Sequence, residues 1–181
     1  FSDSCKFVVS TIAVAVEGVS LSSKTLALSV GKSISIEATV TPSNATNKDV
    51  IWSSTDNSVA TVDATGKITA VGAGQAIITA TTVNNAKTAS CTVTVRVPVT
   101  GIAITNVTDS IEKGKTHQFE VEFSPENATN KTITWKSLDE SVATITQYGK
   151  VTAVATGTVT ITVTTEDGNH IATHEVTVFE P

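Results

Sequence analysis

The chain has 181 residues, a formal charge of −5 and a pI near 5.1, and threonine, valine, alanine and serine number 33, 25, 19 and 18. β-Branched residues favour extended backbone over helix, and leucine is scarce and methionine absent, which argues against an amphipathic helical bundle. No apolar run approaches the roughly 20 residues of a membrane-spanning helix, and no basic stripe is present to hold nucleic acid.

The first residues, Ser4-Cys5-Lys6-Phe7-Val8-Val9, resemble Ser90-Cys91-Thr92-Val93-Thr94-Val95 further on. Residues 1 to about 10 therefore read as the last strand of an earlier repeat, followed by a linker to residue 17. The competing reading is a secretory signal core over Phe7–Val16, with Ala13-Val14-Ala15 as a cleavage-like site. The strand resemblance explains these residues better.

From Gly18 onward the chain repeats itself. Gly18–Val95 aligns with Gly101–Val178 at a constant offset of 83, without a gap, and 32 of 78 positions are identical. The longest shared stretch is Pro42-x-Asn44-Ala45-Thr46-Asn47-Lys48, matched by Pro125-x-Asn127-Ala128-Thr129-Asn130-Lys131. Such self-similarity marks tandem structural units.

Within each repeat, hydrophobicity alternates with period two. Ser33 to Val40 places Ile34, Ile36, Ala38 and Val40 on one side, the signature of a strand with one buried face. His117 takes the place of Ile34, so it is expected near a sandwich end or in a hydrogen bond. Cys91, Val93 and Val95 alternate with threonines, as do Val159, Ile161 and Val163. Turn residues punctuate the runs: Gly31, Pro42 with Asn44, Gly66, Gly74 and Asp167-Gly168. In the first repeat the predicted strands are 19–22, 25–30, 33–41, 49–54, 58–63, 66–71, 75–82 and 88–96, the first two readable also as halves of one broken strand. Short strands at this spacing predict an antiparallel β-sandwich of about seven strands per repeat. One tryptophan per repeat, Trp52 and Trp135, is expected as a central core anchor.

The elements Val30-Gly31, Val50-x-Trp52-Ser53-Ser54, Ser58-Val59-Ala60-Thr61-Val62, Gly66-Lys67-Ile68-Thr69-Ala70-Val71 and Gly74-x-Ala76-x-Ile78-Thr79-Ala80 resemble the bacterial Ig-like domain, group 2 family. The second repeat keeps them with small departures at Ala155 and Thr156. The resemblance implies an all-β chain of two tandem immunoglobulin-like β-sandwich domains, at 18–98 and 99–181, preceded over 1–17 by the residual strand and linker. It also implies tandem modules of bacterial surface proteins, adhesins or phage virion proteins, with no catalytic residues to carry over.

Candidate sites are few. Cys5 and Cys91 occupy equivalent places in successive repeats, too far apart for the ~4.4–6.8 Å Cα separation of a disulfide; Cys91 is expected as a buried thiol in the core, with His174 in its place in the second repeat. His170 and His174 are four apart, a spacing that suits zinc on a helix, but they lie in a turn leading into a strand. No Ser/His/Asp order, phosphate loop or paired-carboxylate motif stands out, so no enzyme and no cofactor are expected. The resemblance leaves calcium open, yet Asp56, Asp63, Asp139, Glu140, Glu166 and Asp167 are scattered over predicted loops without an acidic loop motif. Asn44, Thr46 and Asn47, with Asn127, Thr129 and Asn130, form candidate binding loops; the alternative is that they simply build good turns.

The expected function is a non-catalytic extracellular spacer or cell-surface adhesion array, with the proline-containing linker Arg96–Thr100 holding the domains end to end. Its partners would be a cell-surface protein or glycan and neighbouring repeats. A phage capsid or tail decoration module and an accessory module of a secreted glycan-active protein are the alternatives. Glycan platforms usually use exposed aromatic rings, and few are available here, which counts against the last alternative: Tyr148 is the single tyrosine, and it lies in a predicted turn.

Overall fold

The structure, a computed structural model, describes residues 12–180. The strand assigned to residues 1–10 lies outside the described residues. The chain forms two compact units that divide between Val95 and Arg96, earlier than the 98/99 boundary predicted from the repeat.

The first unit contains β1 (Gly18–Leu21), β2 (Thr25–Ser29), β3 (Ser33–Ser35), β4 (Ala38–Thr41), β5 (Val50–Ser54), β6 (Ala60–Val62), β7 (Lys67–Ala70), β8 (Gly74–Thr82) and β9 (Thr88–Arg96). One layer is the four-stranded sheet β2-β9-β8-β5. The other consists of the sheet β3-β7-β6 and the pair β1-β4. In the second unit β10 (Gly101–Thr105), β11 (Ser110–Glu112), β12 (Thr116–Gln118), β13 (Glu120–Ser124), β14 (Ile133–Ser137), β15 (Ala143–Ile145), β16 (Lys150–Ala153), β17 (Gly157–Thr165) and β18 (Ile171–Phe179) repeat this plan strand for strand.

The alternation read from the sequence becomes the core. On β8, Ala76, Ile78 and Ala80 point inward, and Ile78 pairs with Cys91 of β9 as Ala76 pairs with Val93. Ile36, Ala60, Ile68 and Ala70 meet them from the opposite layer. Threonines on the outer face pair across strands, as Thr158 does with Thr177, where β-branched side chains pack well on the pleated surface.

The predicted strand 33–41 is two strands. β3 pairs with β7 in one sheet, and β4 pairs with β1 in another. Between them the Ile36 amide donates to the Gly66 carbonyl at 3.0 Å, and the Ser22 amide to that of Glu37 at 2.9 Å. Ile36 drops into the core at this switch, while Ile34 stays 39% exposed. The chain's opening strand is likewise broken, with β1 and β2 in different sheets.

The residues before each repeat belong to the module that follows. Val16 is 1% and Val99 3% exposed; Val16 packs with Val40 and Ala45. In the sequence Val16 reads as linker, and Val99 falls where the linker Arg96–Thr100 meets the predicted start of the second domain, because no residue pattern marks either as part of a fold.

Candidate functional site

The loops carrying Asn44, Thr46 and Asn47 and carrying Asn127, Thr129 and Asn130 grip the start of their own module. Thr46 accepts the amide of Val14 on its hydroxyl at 2.8 Å and donates its own amide to the Val14 carbonyl at 3.0 Å. Thr129 does the same with Val97, at 2.8 Å for both bonds. The Asn47 side-chain oxygen accepts the Asp49 amide at 2.8 Å, and that of Asn130 the Thr132 amide at 3.0 Å, so both shape a turn. Asn130 also donates to Glu166 at 3.1 Å. Ala45 and Ala128 are buried. Asn44 and Asn127 are exposed. Within each loop, then, the threonine and second asparagine are engaged in the fold and the first asparagine faces solvent.

Both tryptophans pack on the core of their module, from β5 and β14, the edge strands of the four-stranded sheets. Trp135 is 9% exposed and stacks on Phe119, with ring centroids 6.2 Å apart. Trp52 is only half-buried against its core. The difference follows from Phe119 replacing Ile36, which gives the second indole a larger apolar partner.

The histidines are used one by one. His117 Nε2 bonds the Asn106 carbonyl at 2.6 Å, His170 Nε2 that of Val99 at 3.0 Å and His174 Nε2 that of Thr108 at 3.0 Å. His174 also lies 3.5 Å from Asp109 and edge-on to Phe119. His170 and His174 thus serve different loops. Cys91, at the position of His174, is completely buried, and burial raises its thiol pKa above the ordinary value.

The loop aspartates cap turns. Asp56 accepts the Ser58 hydroxyl at 2.6 Å and the Ser58 amide at 2.9 Å, and Asp139 accepts both groups of Ser141. These bonds, led by the serine hydroxyls, hold both carboxyls below the ordinary aspartate value. Asp63 is lowered similarly, first by the Thr65 hydroxyl. Among the described residues no three histidine, cysteine, aspartate or glutamate side chains come together as a cation site would need.

One concave feature recurs in both modules. In the second, an open groove of about 530 Å³ is lined by Trp135 together with Gln118, Phe119, Glu120, Val121, Ile133, Gln147 and Tyr148. In the first, Ile36, Glu37, Ala38, Val50, Trp52, Ala64 and Thr65 line a groove of about 320 Å³. Each of these seven positions maps onto a lining residue of the other groove at the offset of 83. Glu120 and Gln147 did not stand out in the sequence, because neither forms a motif and only the fold brings Glu120 to the groove that Gln147 and its neighbour Tyr148 line.

A double-layered sandwich with a sheet-switching opening strand, built twice, defines an immunoglobulin-like tandem. The bacterial Ig-like domain (group 2) model matches residues 15–93 and 98–176, and the chain belongs to this family. It is 36% identical over 172 residues to an Ig-like virion protein of Serratia phage KSP90, covering 92% of this chain and 66% of that protein. It is 39% identical over 139 residues to an alpha-L-arabinofuranosidase of Bifidobacterium longum subsp. longum, covering 74% of this chain and 13% of that protein. The chain thus spans less than two thirds of the length of these curated relatives. Among solved structures, Sidekick-1 immunoglobulin domains 1–5 superpose with a TM-score of 0.62 at 11% identity, over 92% of this chain and 39% of that one, a likeness of fold alone.

Proposed function

We propose that the chain is a non-catalytic structural and interaction module of a longer extracellular or cell-surface protein, placing other parts of that protein and offering its own loops and grooves for contact. One observation carries this reading. Among the described residues, the histidines, the serine-capping aspartates and Cys91 are occupied in building the module itself: the three histidines bond loop carbonyls, Asp56 and Asp139 hold serines, and Cys91 fills the core. A second reading, a decoration module of a phage virion, is favoured by the likeness to the phage protein over nearly the whole chain. A third, an accessory module of a secreted glycan-active protein, is favoured by the likeness to the arabinofuranosidase over a small part of that enzyme. The purified chain, incubated with bacterial envelope preparations and soluble glycans, should cosediment or bind without cleaving anything. Turnover of any glycan or peptide bond by the chain alone would overturn the proposal. Localising a tagged parent protein to virions or to the cell envelope separates the first two readings.

A further inference from the structure

We infer that the groove beside Trp135 is a binding site for a neutral pyranose residue of a glycan, with the Tyr148 ring as its stacking platform. The Tyr148 side chain is 77% exposed, although the turn that carries it is fixed. Gln118 donates from Nε2 to the Tyr148 carbonyl at 2.7 Å and to that of Phe119 at 2.8 Å. The Phe119 amide donates to the Gly149 carbonyl at 2.9 Å, and the Gly149 amide to that of Thr146 at 3.0 Å. Gly149 lies so close beneath that a Cβ would fall 2.6 Å from the Phe119 carbonyl oxygen and 3.2 Å from the Trp135 ring. The backbone under the ring is therefore ordered before any ligand arrives, which lowers the entropic cost of binding.

The chemistry around the ring suits a sugar. A pyranose has an apolar face of C–H groups and a rim of hydroxyls, and a tyrosine offers the matching apolar body with a polar tip. Glu120 and Gln147 line the same groove and are exposed. The carboxylate accepts hydrogen bonds from neighbouring hydroxyls, and the amide both donates and accepts. The carboxylate, on a chain of net charge −5, disfavours an acidic sugar.

The first module supplies an internal contrast. Its groove keeps the glutamate and the tryptophan, as Glu37 and Trp52, but carries Ala64 and Thr65 where the second has Gln147 and Tyr148. The Thr65 hydroxyl is turned back onto Asp63 at 2.6 Å. That groove lacks the exposed tyrosine ring and the amide, and the one ring it has, Trp52, is packed half-buried against the core.

The inference gives a site to the interaction role proposed above and rests on it; a failed titration would remove the site while leaving a spacer role intact. The test is an amide NMR titration of the whole chain with maltose, lactose and cellobiose, and with galacturonic acid as the acidic comparison. At least one neutral disaccharide should give saturable shifts at Glu120, Gln147, Tyr148 and Gly149, with none at Ala64, Thr65 and Gly66 and none from the acid. Tyr148→Ala should weaken binding by about tenfold, while Tyr148→Phe retains it. The double substitution Ala64→Gln with Thr65→Tyr should create binding in the first module. No saturable shift with any of the three disaccharides, or shifts unchanged in Tyr148→Ala, would overturn the assignment. Preserved amide spectra in the variants would show that the fold is intact, as expected for so exposed a side chain.

Discussion

The hydroxyl of Thr129 accepts the amide of Val97 at 2.8 Å, and the Thr129 amide returns a bond of the same length to the Val97 carbonyl. This closed pair fastens the residues before β10 to their own module, and Thr46 with Val14 repeats it in the first. A second copy made at the same offset is evidence that the clamp is part of the module's design. It leaves Val99 buried, with its amide donating to Asp167 at 3.0 Å. Starting the second module at Gly101 should therefore cost about 1.5–3 kcal/mol from Val99 burial alone, relative to a start at Arg96. Thr129→Val in the whole chain should cost about 1 kcal/mol, as one exposed hydrogen bond is lost. Thermal unfolding of the matched pairs checks both, and equal stability of the two starts would show that the lead-in is an ornament.

Two glycines with the same backbone angle should respond differently to alanine. Gly149 has φ of 81° and Gly114 of 79°, so each alanine meets the left-handed penalty of roughly 1 kcal/mol. At Gly114 nothing lies within 4 Å of the new Cβ, whereas at Gly149 the Phe119 carbonyl oxygen is 2.6 Å away. Gly149→Ala should then lose clearly more stability than Gly114→Ala, by about 1–3 kcal/mol, and should disturb the Tyr148 turn. Chemical denaturation of the two variants compares them directly.

Cys91 should be silent toward thiol reagents in the folded chain. It is fully buried between Ile78 and its neighbours on β9, and burial raises its pKa. Both effects suppress the thiolate that reacts. In a Cys5→Ser background, labelling should become fast only in denaturant, with the same midpoint as the first module's unfolding. Rapid labelling of the native protein would show that this core opens locally.

Acid should weaken both modules through their serine-capping aspartates. Asp56 and Asp139 have pKa values below the ordinary one in the folded state, the Ser58 and Ser141 hydroxyls contributing most. A carboxyl depressed by folding contributes its full stabilisation above its unfolded pKa and loses it as pH falls through the folded value. Melting temperature should thus be flat near neutrality and fall below the ordinary carboxyl range. Asp139→Asn should be less stable than the parent at neutral pH, and the gap should narrow in acid. A gap independent of pH would assign the effect to shape rather than charge.

The duplication and the two-layer fold were legible because 78 positions align without a gap and because inward valines and alanines keep a strict period of two. The same regularity concealed the break between β3 and β4. Alternation continues through Ile36 and Glu37, so no residue pattern marks where the chain changes sheets. The strand pairings and the bonds of Ile36 and Glu37 across to Gly66 and Ser22 reveal it. The lead-in was hidden in a related way. Val14 and Val16 stand at the offset of 83 from Val97 and Val99, but both pairs read as linker until Thr46 and Thr129 are seen to hold them. The Asn44 and Asn127 loops were recognisable as turns from proline, asparagine and threonine. Which members face solvent depends on contacts across 32 residues of chain. Tyr148 was visible as a turn residue, whereas its position over a groove lined by Glu120 and Trp135 is a product of packing between strands distant in sequence.

Excising residues 12–181 from the longer protein proposed above tests most directly the claim that these modules work by placement and contact rather than chemistry. Activity or binding of the excised parent toward a freely soluble target should be unchanged, while attachment to its cell-surface or virion target falls. Loss of activity toward the soluble target, with the remaining domains shown to be folded, would contradict the account.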